Sequence, residues 1–183
     1  NINIELLTLS EVKSLEGHAR DFTATITRHP RRVSLEKCIS CGLCAEKCPK
    51  KVVNAYDEGL SKRKAIYIDY AQAVPLKYSI DPDQCIYIQK KRCKLCEKIC
   101  PTGAIDFEEQ ATQIRLRVGV VILTLGSQAY DPLKWDTYGY KNSKNILTSL
   151  EFERVLSASG PYEGHLIRPL DKKEKKNCMA PVY

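Results

Sequence analysis

Apolar and polar positions alternate from Asp21 to Thr27, the period-two pattern of a strand with one face buried. His29-Pro30 closes that strand, because proline brings no donor to a ladder. Thr112 to Val118 alternates in the same way. Gly119 to Leu125 is instead a continuous aliphatic run, the pattern of a strand buried on both faces, and Gly126-Ser127 stops it. Ser149 to Leu156 predicts a short helix with Ser149 as its N-cap and an acidic first turn. From Asp171 to Pro181 no period is visible, and that end reads as loose. The longest unbroken apolar run, Val120 to Leu123, falls far short of the ~20 residues that span a bilayer, so no membrane insertion is expected. The N-terminal residues show no basic stretch followed by an apolar one, so no secretory leader is read there, and a cytoplasmic location is expected.

Cysteine content divides the chain into three. Residues 1–34 hold none and read as a flanking β segment. Residues 35–110 hold eight of the nine. Residues 111–183 return to ordinary globular composition and read as a flanking α/β segment. The middle part contains a repeat. Cys38, Cys41, Cys44 and Cys48-Pro49 are answered by Cys85, Cys93, Cys96 and Cys100-Pro101. The spacing of the last three cysteines and the closing Cys-Pro are kept, and only Cys85 stands further upstream.

That spacing is suited to a cubane of four irons and four sulfides, which needs one thiolate per iron around a compact body. Two-residue gaps wrap one loop around the body, and the loop's amides point at the sulfurs. After the third ligand a helix starts and carries the fourth cysteine away. In two-cluster ferredoxins that fourth cysteine serves the other cluster. The expected ligand sets are therefore Cys38, Cys41, Cys44 and Cys100 for one 4Fe–4S cluster, and Cys85, Cys93, Cys96 and Cys48 for a second. The longer loop Ile86 to Arg92 is expected to bulge out ahead of Cys93. Zinc also accepts four thiolates, but its structural sites usually present two separated Cys pairs rather than a triplet followed by Cys-Pro. Disulfides suit neither an odd cysteine count nor a chain without a leader. Clusters acting only as staples are the third alternative. Two adjacent clusters suit an electron relay better.

The remaining chemistry is sparse. Cys178 stands outside both repeats and reads as a free thiol. His18, His29 and His165 are dispersed, without ligand spacing. Trp135 and the ten tyrosines show no aromatic–basic alternation of a nucleic-acid module, so packing is the expectation for them. No two glycines are separated by one residue, so a dinucleotide fingerprint is absent, and no catalytic set stands out. The net charge of +7 favours acidic partners without naming them. Part of it sits in Lys172, Lys173, Lys175 and Lys176, read as a solvated run. Lys90, Lys91, Arg92 and Lys94 lie beside the cysteines, where they either raise a cluster's potential or meet an acidic donor.

The chain resembles a central portion of the A-subunit of the CoB–CoM heterodisulfide reductase family, the flavin and iron–sulfur component of the enzyme in methanogens and related anaerobes. Beyond the cysteines, the resemblance rests on Asp57-Glu58-Gly59, Arg63-Lys64-Ala65-Ile66, Gln72-Ala73-Val74-Pro75 and Tyr78-Ser79-Ile80-Asp81. It continues through Cys100 to Phe107, Leu147 to Arg154 and Ser157 to Pro161, and so covers the chain to about Lys176. It implies a two-cluster ferredoxin module inserted in a thioredoxin-reductase-like flavin domain, with residues 1–34 and 111–183 as pieces of that domain. Val118 to Gly126 looks like its strand-and-glycine segment near the dinucleotide. FAD is implied for the fuller family protein but not expected in this chain alone, which lacks the N-terminal fingerprint and reads as truncated or a short relative.

The resulting expectation is an α+β protein, a two-cluster ferredoxin-like domain between β-rich flanks. It would transfer single electrons, with heterodisulfide reductase-type redox subunits and an acidic ferredoxin as partners. Two rival readings are an FAD-binding oxidoreductase fragment and a nucleic-acid-binding protein with structural clusters. Flavin absorbance would favour the first, and salt-dependent nucleic-acid retention the second.

Overall fold

The computed structural model describes residues 3–134 and 137–174. Trp135, Lys175, Lys176 and Cys178 lie outside the described residues. Three strands form an antiparallel sheet in the order β1-β2-β7: β1 (Ser10–His18), β2 (Asp21–Arg28) and β7 (Thr112–Val118). The alternation seen in the sequence sets the register. Phe22, Ala24 and Ile26 stand opposite Val118, Leu116 and Ile114, so one face collects the apolar side chains. Ala24 and Ile26 are buried. The turn between β1 and β2 requires Gly17, with φ of +109°, because a Cβ there would lie 2.2 Å from the Asp21 carbonyl oxygen. Segments from either side of the cysteine-rich part thus share one sheet.

Residues 35–110 fold between β2 and β7 as short elements: α1 (Leu43–Lys47), β3 (Lys51–Val53), β4 (Lys62–Lys64), β5 (Ile66–Tyr67), β6 (Ser79–Ile80), α2 (Ile86–Lys90) and α3 (Leu95–Ile99). Two small hairpins result, β3 with β4 and β5 with β6. The two ends of the region meet at an antiparallel bridge between Val33 and Ile105. Hydrogen bonds from Ser34 N–H to Ala104 O (2.8 Å) and from Asp106 N–H to Arg32 O (3.0 Å) close it. The core holds Val33, Ile66, Ile80, Ala104, Ile105 and Phe107 together with Cys38, Cys44 and Cys85. Five-residue helices have no stability of their own. What they pack against holds them, and that includes the cysteines.

Two expectations are corrected. The aliphatic run from Gly119 to Leu125 is not a strand. Val120, Ile122, Leu123 and Leu125 are 74%, 81%, 71% and 88% exposed. A strand buried on both faces needs neighbours on both sides, and among the described residues β7 pairs with β2 alone. The last pairing bond runs from Arg20 N–H to Gly119 O (3.1 Å), after which the run has no partner. Beyond Val118 the described chain forms no further strand, only 3-10 turns, an isolated bridge between Ile167 and Glu174, and helix α4 (Ser149–Leu156). The second correction concerns the cap of α4. Thr148, not Ser149, occupies that position. Its hydroxyl accepts from Glu151 N–H (3.2 Å) while the Glu151 carboxylate accepts from Thr148 N–H (2.7 Å), a complete capping box. The mixture of helices and antiparallel sheets is α+β. None of the described helices is long and apolar enough to cross a membrane.

Candidate metal centre

The repeat in the sequence is a repeat in the backbone. In its first copy Gly42, at φ of +84°, turns the chain into α1; that helix carries Cys44 and ends on Cys48 in extended conformation. In the second, Lys94 takes the same left-handed turn at φ of +72° and starts α3, which carries Cys96 and ends on Cys100. The two helices pack against one another. Each fourth cysteine is therefore delivered past a helix end toward the opposite repeat. The segment between Cys85 and Cys93 contains the helical turn α2, then Lys91 and Cys93 at φ of +53° and +103°.

Two cavities follow. One is lined by Cys38, Cys41, Cys44 and Cys100, with Val33, Tyr78 and Ile105 in its wall. The other is lined by Cys48, Cys85, Cys93 and Cys96, with Ile66, Ile80, Tyr87 and Phe107. The structure thus gathers four sequence-predicted cysteines at each cavity, the fourth coming from the opposite repeat. All eight are free thiols. Among the described residues no three ligating side chains converge on a point suited to a single metal ion.

Electrostatics agrees with this grouping. Burial pushes the Cys44 thiol up to about 11; the Ala45 N–H offsets part of that, and charge on Cys38, Cys41 and Cys100 adds to it. Burial pushes Cys96 up to about 12, and charge on Cys85 and Cys48 acts in the same direction. Burial alone would raise the Cys100 thiol. Donation from Ala104 N–H to its Sγ, at 3.3 Å, and contacts with Thr102 and Gly103 outweigh it and bring it below the usual value. Four thiolates crowded at one cavity repel one another, and a cationic body bound among them would relieve that repulsion. Soft sulfur donors around an apolar hollow fit an iron–sulfur cluster.

Lysines tie the ligand loops down. Lys77 Nζ donates to the Cys38 carbonyl and Lys64 Nζ to the Cys48 carbonyl. Arg63 pairs with Asp81 at 2.8 Å, and Asp81 O accepts from Cys85 N–H at 3.0 Å. The sequence reading missed these lysines, since neither has a cysteine for a near neighbour in the pattern that drew attention to residues 90–94. Of that basic set, Lys94 lines the second cavity and lies 4.7 Å from the Tyr87 ring, while Lys90, Lys91 and Arg92 stay exposed. The histidines remain dispersed: His18 in β1, His29 against Glu11 (3.4 Å) and His165 against Glu174 (3.2 Å).

Comparison with known proteins bears on the same residues. Residues 37–104 match the family model of the 4Fe-4S dicluster domain, which indicates two 4Fe–4S clusters. The chain is 46% identical over 171 residues to the iron-sulfur A-subunit of the CoB--CoM heterodisulfide reductase of Methanocaldococcus jannaschii, covering 93% of this chain and 25% of that protein. It is 41% identical over 174 residues to the A-subunit of the H(2):CoB-CoM heterodisulfide,ferredoxin reductase of Methanothermobacter thermautotrophicus (95% and 26%). It is 39% identical over 179 residues to the A-subunit of the Ferredoxin:CoB-CoM heterodisulfide reductase of Methanosarcina acetivorans (98% and 22%). The chain spans about a quarter of the length of these curated relatives. Over nearly all of its own length, with a 4Fe-4S dicluster domain at its centre, the chain is a homologue of the CoB–CoM heterodisulfide reductase A-subunit.

Proposed function

We propose that the chain relays single electrons within a heterodisulfide reductase-type complex, through one 4Fe–4S cluster held by Cys38, Cys41, Cys44 and Cys100 and another held by Cys48, Cys85, Cys93 and Cys96. The observation that carries this reading is the exchange of the fourth cysteine. Cys48 and Cys100 each end a helix of one repeat and line the cavity of the other, and the two helices, α1 and α3, pack against one another. Such clusters supply reversible one-electron storage, with a potential set by charge, burial and hydrogen bonds to sulfur. The chain supplies the rest. Lys64 and Lys77 fix the ligand loops, and the Ala104 amide stabilises negative charge on Cys100 Sγ. Phe107 and Tyr87 give the second cavity an apolar, aromatic wall. Partners in this reading are other redox subunits of such a complex and an acidic ferredoxin meeting the basic edge near residues 90–94. The setting is the reducing cytoplasm.

A potentiometric titration followed by low-temperature EPR tests the relay. The expected result is two one-electron centres in the same chain whose signals split each other when both are reduced. Two centres that never reduce would leave clusters as staples and end the proposal.

A further inference from the structure

Each cysteine set has one half-buried ammonium on its ligand backbone. Lys77 Nζ donates to the carbonyl of Cys38, and Lys64 Nζ to that of Cys48. The placement repeats. Lys64 stands two residues ahead of β5 and Lys77 two residues ahead of β6, the paired strands in which Ile66 faces Ile80. One small hairpin thus carries a cation to a ligand of either site.

Neither lysine has a carboxylate partner. The lysine ion pairs among the described residues are those of Lys13, Lys47 and Lys94. Lys94, in the wall of the second cavity, is thus already matched by Glu97. Asp69 lines a hollow with Lys77 but forms no ion pair with it, and across the β3–β4 hairpin Lys64 faces another cation, Lys51. Nor is a charge needed to hold the loops. Ala65 N–H donates to Lys50 O (3.1 Å) and Ser40 Oγ to Leu76 O, neutral bonds that already tie the same pairs of segments. A half-buried ammonium without a counter-ion costs free energy. The missing negative charge is that of four thiolates on a 4Fe–4S core, which grows by one unit on reduction.

We propose that Lys77 and Lys64 are dedicated counter-charges that set the two potentials separately. Lys77, on the Cys38 carbonyl, serves the site of Cys38, Cys41, Cys44 and Cys100. Lys64, on the Cys48 carbonyl, serves the site of Cys48, Cys85, Cys93 and Cys96. Each eases the uptake of one electron at its own site. The electron comes from the external reductant; no bond forms or breaks and no proton moves. This deepens the relay reading above and rests on its two ligand sets.

The test uses the whole chain, purified anaerobically, with dithionite as reductant. Lys77→Gln and Lys64→Gln keep an N–H donor for the carbonyl and remove the charge, whereas Lys77→Arg and Lys64→Arg keep the charge. Potentials are read by titration followed by EPR, with the two signals assigned through Cys44→Ser and Cys96→Ser. Lys77→Gln is expected to make the centre lost in Cys44→Ser about tenfold harder to reduce, a potential about 59 mV lower for one electron, the size of a unit charge roughly 10 Å away at an effective dielectric of about 20. The other centre should move by less than about threefold. Lys64→Gln should do the reverse, and both Arg variants should stay within about threefold of the parent at both centres. A chelator challenge of the oxidised protein reads the same charge without reduction: each Gln variant should release about half of its iron several-fold faster than the parent, and the Arg variants at the parent rate. Gln variants that match the parent, Arg variants that shift or lose iron as far as the Gln variants, or one lysine moving both centres equally would overturn the counter-charges and leave the lysines as loop ties. Iron lost from the Gln variants on purification but kept in the Arg variants would support them. If dithionite reduces neither centre of the parent, the relay reading falls, and the chelator rates decide the counter-charges alone.

Discussion

Arg154 donates from Nε and Nη2 to one oxygen of Asp57, at 3.2 and 3.0 Å, across 97 residues of sequence. Both side chains are 8% exposed. Asn54 and Ser61 donate to the other Asp57 oxygen, and the Arg154 guanidinium lies 4.4 Å from the Tyr56 ring, which stacks on Tyr70 at 5.0 Å. Helix α4 is thereby fastened to the turn between β3 and β4. Removing one partner leaves a buried charge unpaired, so Arg154→Met should lower unfolding stability by about 3–5 kcal/mol. Urea titration followed by circular dichroism measures this. A loss under about 1 kcal/mol would mean that the pair does not hold α4 in place.

The capping box gives a local check on the same helix. Thr148→Ala removes the hydroxyl that receives the Glu151 amide and should cost about 1 kcal/mol, whereas Ser149→Ala should be close to neutral. The reverse order in thermal unfolding would restore Ser149 as the cap.

Ligand exchange between the repeats can be read by EPR. Cys96→Ser and Cys48→Ser should remove the same reduced signal, and Cys44→Ser the other, each leaving about half of the iron. Should Cys48→Ser instead remove the signal lost in Cys44→Ser, each repeat would hold its own cluster. Cys178→Ser is expected to leave both signals unchanged.

The metal-free chain should show the thiol order set by burial. At about pH 8, exposed Cys41 and Cys93 and the lowered Cys100 should alkylate first, and Cys44 and Cys96 last. Both the buried Cys44 and the half-buried Cys96 thiols are raised above their ordinary value of 9.0, so the folded state holds their protons more tightly than the unfolded one. Their stabilising contribution is complete below pH 9.0 and is lost as pH rises through about 11 to 12. Peptide mass spectrometry of alkylated thiols at two pH values reads the order directly. Rapid labelling of Cys96 at pH 8 would contradict it.

Much of this was legible because its determinants are local. The cysteine spacing marked the two sites, and the alternation of Asp21 to Thr27 and of Thr112 to Val118 marked β2 and β7. The aliphatic run after Gly119 misled because its pattern reports what a strand would need on both faces, not whether neighbours exist. Thr148 was passed over for Ser149 because adjacent hydroxyl residues both satisfy the composition rule, and only the reciprocal bond with Glu151 separates them. The Asp57–Arg154 pair and the contacts of Lys64 and Lys77 with the Cys48 and Cys38 carbonyls leave no periodic trace. They acquire meaning only when the fold brings distant residues to one place.

Iron and acid-labile sulfide per chain, assayed on anaerobically purified protein, test the central claim most directly. Two cubanes on eight thiolates predict about eight of each. About four of each would mean that one cavity does not hold its cluster, and tightly bound zinc without sulfide would contradict the account altogether.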